Sequence, residues 1–123
     1  MSDAFRCHVA IENALDRDLT VREQRLEWGL FAIEPRTIPK MLREQAFVAT
    51  GKTWLPGGTE GTVEYGVEGL PSVRLRIRFA MSATPGTFNS VTADVIGMGC
   101  RATVQNLLGD ASTESVTIRV EKS

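Results

Sequence analysis

The chain has 123 residues, 42% of them hydrophobic and 24% charged, with a net charge of −1. That balance suits one folded domain and excludes a disordered chain. It argues against a nucleic-acid binder, which is usually basic over its whole domain. No run approaches the ~20 apolar residues of a membrane span, and the N-terminus lacks the apolar stretch of a signal peptide. The expectation is a protein made in the cytoplasm that reaches other membranes only by a non-classical route or by lysis.

Taken in chain order, Phe5, Cys7, Val9 and Ile11 alternate with polar neighbours and predict a half-buried first strand. Asn13 to Asp18 reads as a turn. Leu19 to Trp28 reads as a second strand, antiparallel to the first and stopped by Gly29, although R-E-Q-R-L-E-W is also compatible with a helix. Leu30 to Ile33 is a short apolar piece. Pro35 and Pro39 then make an extended connection. Gln45 to Thr50 is expected as a strand.

The next stretch, Thr50 to Gly66, carries five glycines and Pro56, so it opens as a loop, and the strand Gly61 to Val67 follows. Trp54 and Tyr65 flank the loop. Two readings stand for them: they fold back to close the end of a sheet, or Trp54 stands at a binding surface. After a turn at Glu68 to Ser72, Val73 to Met81 is the clearest strand of the chain. Val73, Leu75, Ile77 and Phe79 share one face, and Arg74, Arg76 and Arg78 share the other. Phe88 to Ile96, Cys100 to Leu107 and the alternation Val116, Ile118, Val120 predict three more strands. About eight strands at this spacing, with no convincing helix, predict an all-β antiparallel sandwich over residues 1–123 as a single domain.

Little catalytic chemistry is visible, and the expectation is a protein that is not an enzyme. The one histidine, His8, falls on the outward face of the first strand. No G-x-S-x-G, H-E-x-x-H or P-loop pattern occurs. The carboxylate pairs Asp16/Asp18 and Glu60/Glu64 read as solvated surface. No cofactor is implied. Cys7 and Cys100 form no metal-binding cluster and read as two buried thiols, with a disulfide between them as the alternative. The stripe Arg74, Arg76, Arg78 reads either as a face paired with acids of neighbouring strands or as a weak anion-binding surface.

With strands and loop placed, several runs resemble the aegerolysin family, β-sandwich proteins structurally akin to the actinoporin-like cytolysins. They are Val9-Ala-Ile-Glu-Asn13, Leu26-Glu-Trp28-Gly29, Pro39 followed by Phe47-Val-Ala-Thr-Gly51, and above all Gly58-Thr-Glu-Gly61-Thr-Val-Glu-Tyr65. The resemblance implies binding to membrane lipids from solution, with sphingolipid-type headgroups as the usual target. It also implies a larger pore-forming partner in a cytolytic, hemolytic or insecticidal toxin system, whereas a homo-oligomer goes with the reading as an interaction or structural module. On this chain it points to Trp28, Trp54 and Tyr65 as the aromatic set, with Phe31 and Lys52 beside them. Core packing between the sheets stands as the other reading for Trp28. A protein-interaction or structural sandwich is the alternative function.

Overall fold

The computed structural model describes residues 5–51, 58–81, 89–106, 108–109 and 111–123. Nine strands lie among them: β1 (Arg6–Asn13), β2 (Leu19–Trp28), β3 (Leu30–Ile33), β4 (Arg43–Thr50), β5 (Thr59–Val67), β6 (Leu70–Met81), β7 (Ser90–Ile96), β8 (Cys100–Val104) and β9 (Thr113–Lys122). They form two sheets, a five-stranded one in the order β3-β4-β1-β9-β8 and a four-stranded one in the order β2-β5-β6-β7. The all-β sandwich expected from the strand pattern is the architecture found.

Three details differ from the sequence reading. The second strand does not pair with the first. Instead β2 pairs with β5 in the other sheet, because the Asn13–Asp18 turn carries the chain from one layer to the next. One strand pair, β1 with β9, is parallel, and all others are antiparallel. The strand starting at Cys100 ends at Val104, short of Leu107. There the Asn106 side chain takes over the pairing, donating to the Ser115 carbonyl and accepting from the Thr117 amide.

The alternation seen in the sequence builds the core. Cys7, Val9 and Ile11 of β1 and Val116, Ile118 and Val120 of β9 face Val63 and Tyr65 of β5 and Val73, Leu75, Ile77 and Phe79 of β6. Buried Asn13 closes the turn beneath them. Its side-chain amide donates to the carbonyls of Arg17, Ile38 and Pro39, and its Oδ1 accepts from the Leu15 amide. A buried side-chain amide is tolerated only when satisfied in this way.

The chain passes between the sheets at both lateral edges on glycine. Gly29 joins β2 to β3 at φ +100°, where a Cβ would fall 2.6 Å from the Thr50 carbonyl oxygen. Gly97 begins the link from β7 to β8 at φ +104°, against the Ser72 carbonyl. Only glycine holds such angles without strain.

Cys7 and Cys100 are both free and buried, as the thiol reading expected. Burial, helped by the Glu114 carboxylate, pushes the Cys7 thiol from 9.0 up to about 12. Burial likewise raises the Tyr65 phenol. Both groups stay neutral in the fold and ionise more readily once the chain unfolds. Their contribution to stability is therefore complete below pH 9.0 and lost as pH rises from there towards about 12. Urea unfolding midpoints are expected to hold steady up to about pH 9 and then to fall. Replacing Cys7 with Ala should flatten part of that fall.

Candidate functional site

The strand registers place five segments at one end of the sandwich. They are the start of β1, the β2–β3 corner, the end of β4 with the start of β5, the end of β6 with the start of β7, and the end of β8 with the start of β9. The corner exposes two large apolar side chains, Trp28 at 42% and Leu30 at 39%, one on each side of Gly29.

The exposure of Trp28 has a local cause. On β2, Leu26 pairs with Gly61 and Trp28 with Glu60, so two residues of β2 advance for one of β5. This bulge breaks the period of two. Plain alternation would have put Trp28 on the inner face with Leu26. The bulge turns it to the outer face, which Glu60 shares. The Thr59 hydroxyl donates to the Trp28 carbonyl at 3.1 Å and fixes the backbone there. The core-packing alternative for Trp28 is thereby removed.

The other members of the expected aromatic set separate. Phe31 is half-buried and packs edge-on to Phe47, 5.8 Å between ring centroids, and 6.3 Å from Phe79. It anchors the corner rather than presenting a ring to solvent. Tyr65 is fully buried, and its hydroxyl donates to the Arg36 carbonyl at 3.0 Å. It therefore belongs to the core, a correction to its place in the surface set; only the reading that it folds inwards fits. Lys52 and Trp54 lie outside the described residues, in the sequence between β4 and β5. Leu30 was missed by the sequence reading, because a leucine in a short apolar run carries no mark of exposure.

The arginine stripe lies, as expected, on the outer face of the four-stranded sheet. One acid of the neighbouring strand meets it: Glu64 stands 3.9 Å from Arg74 and 3.7 Å from Arg76. The expectation that Glu60 and Glu64 form a solvated pair fails for Glu64. It is only 7% exposed, while Glu60 is open to water. On the opposite outer face Arg101 and Arg119 both reach Glu121, and Arg119 also meets Glu12. Hydrogen bonds from Arg119 and then Arg101 hold the Glu121 carboxyl below its usual range. His8 looks outward from β1, its Nδ1 3.3 Å from the Gln45 amide nitrogen, while its neighbour Cys7 points into the core.

Phe31 and Trp28 should respond differently to truncation. Phe31→Ala is expected to lower unfolding free energy by about 2–3 kcal/mol, since it removes a partly buried ring from an aromatic cluster. Trp28→Ala should change it by less than about 1 kcal/mol. Paired denaturation curves check this.

No family model and no curated protein matches the chain. Solved structures do. The chain superposes on the lipid binding protein Nakanori with a TM-score of 0.78 at 12% identity, over 98% of this chain and 72% of that one. RahU, solved in complex with a Tris molecule, gives 0.68 at 14% identity over 98% and 96% of the two chains. IP-1A from Alcaligenes faecalis gives 0.67 at 14% identity over 97% and 91%. At such identities the likeness is one of fold. Nakanori is an aegerolysin-family protein, so this chain has an aegerolysin-like β-sandwich fold, as its sequence resemblance implied.

Proposed function

We propose that the chain binds membrane lipids from solution through the end of the sandwich that carries the Gly29 corner. The observation behind this reading is the pair of exposed apolar side chains there, Trp28 and Leu30, on a backbone pinned by Gly29 and Thr59. Tryptophan settles well at a lipid interface, with its indole body in apolar surroundings and its N–H at the headgroups. A rigid corner presents it at little entropic cost. β4 ends and β5 begins at the same end, and the sequence between them holds Lys52 and Trp54, a cation for the headgroup phosphate and a second indole. The fold shared with a lipid binding protein supports the reading.

The finer parts of the proposal come from the family resemblance. Sphingolipid-type headgroups are the target. The chain recognises the membrane, and a larger pore-forming partner perforates it. In this role the protein is a binding module and not an enzyme.

Co-sedimentation with sphingomyelin-containing liposomes tests the surface. The wild-type chain should pellet with the vesicles. Trp28→Ala should bind them about five- to tenfold more weakly, with its melting temperature unchanged. Equal pelleting of the variant would remove Trp28 from the contact. If the chain alone releases a dye trapped in these vesicles, the assignment of perforation to a second protein is wrong.

A further inference from the structure

A groove of about 680 Å³ runs along the outer face of the four-stranded sheet. Its rim at the loop end is the row Glu60, Ala80, Ser90, its middle is the row Thr62, Arg78, Thr92, and its far end is Glu64 beside Arg76 and Glu23. β5 supplies Glu60 and Glu64 and β6 supplies Arg76 and Arg78, while β2 carries Glu23 and the ion pair of Arg25 with Glu27.

Glu64 is the anomaly in this groove. Its side chain is 9% exposed, and its Oε1 is buried without any hydrogen bond. Arg74 and Arg76 stand at 3.9 Å and 3.7 Å, past hydrogen-bonding reach. A buried carboxylate oxygen without a donor is costly and calls for a partner. Glu23 sits directly opposite on β2 and adds a second negative charge. An N–H donor carried by a ligand would satisfy Oε1 of Glu64. Arg78, one diagonal step away on β6, is exposed and has no carboxylate within ion-pair distance among the described residues. Such diagonal neighbours lie about 7–8 Å apart.

We propose that this groove is a ligand site for a small zwitterion, whose primary ammonium bonds Glu64 and whose oxyanion meets the guanidinium of Arg78. The ammonium supplies the donor that Oε1 lacks. The guanidinium fork accepts phosphate, phosphonate or carboxylate equally well in geometry. The site stands on the sheet and does not depend on the membrane reading. Its ligand is a free solute or a headgroup with the same pair of charges.

The test is a titration of the full chain with 3-aminopropylphosphonate, followed by backbone amide NMR shifts. Saturable shifts are expected around residues 62–64 and 76–78. Propylamine and propylphosphonate, each carrying half of the charge pair, should bind at least about tenfold more weakly. Glu64→Gln keeps the side-chain shape and should lose about as much. Arg78→Gln, at an exposed position that the fold tolerates, should also weaken the probe. No saturable shift in the wild type, or unchanged binding by Glu64→Gln and Arg78→Gln, overturns the proposal. Pelleting of Glu64→Gln with phosphatidylethanolamine–phosphatidylcholine vesicles separates the sources. Loss of the probe with vesicle binding retained marks a free solute, and loss of both marks a headgroup.

Discussion

Phe47 of β4 and Phe79 of β6 meet across the sandwich with 5.4 Å between ring centroids, and Phe31 closes the cluster from β3. This contact sets the gap between the sheets at the loop end. It also holds β3, a strand of only four residues, on the edge of its sheet. Everything proposed for the Trp28 end depends on it. Offset aromatic contacts of this kind add about 0.5–1.5 kcal/mol each beyond the area they bury. Gly29 then has to turn sharply against Thr50 and Thr59, and the residues on both sides of it are driven outwards.

Much of the architecture was legible because alternation reports which side of a strand is buried. The arginine stripe of β6, the apolar side of β1 and the terminal strand all follow from a period of two. Partners are less visible. No residue pattern says that β9 returns parallel to β1, or that β2 belongs to the other sheet, because pairing is decided by how the turns carry the chain between layers. Bulges hide even more. The two register shifts in β2, between Val21 and Glu23 and between Leu26 and Trp28, each reverse the side on which the following residues emerge.

The same limit applies to the site residues. Tyr65 and Trp28 both looked like aromatics near a glycine-rich loop. Tyr65 follows the regular alternation of β5 into the core, and Trp28 leaves the alternation of β2 for the surface. Glu64 looked like one of two solvated acids. Its burial comes from the register that sets Arg76 beside it, with Arg74 also within 4 Å, which a single strand's sequence cannot reveal. The resemblance carried by Gly58-Thr-Glu-Gly61 was informative because those residues begin β5, the strand that pairs with the bulged end of β2.

The central claim is that Trp28 enters the lipid interface. The chain holds two tryptophans, so Trp54→Phe leaves Trp28 as the sole indole reporter while an aromatic ring stays at position 54. Its fluorescence should be recorded during titration with sphingomyelin vesicles, with and without lipids brominated along the acyl chain. A blue shift on binding, with quenching by shallow bromines, is the result this account predicts. Co-sedimentation with an unshifted, unquenched Trp28 would place the membrane contact elsewhere on the molecule.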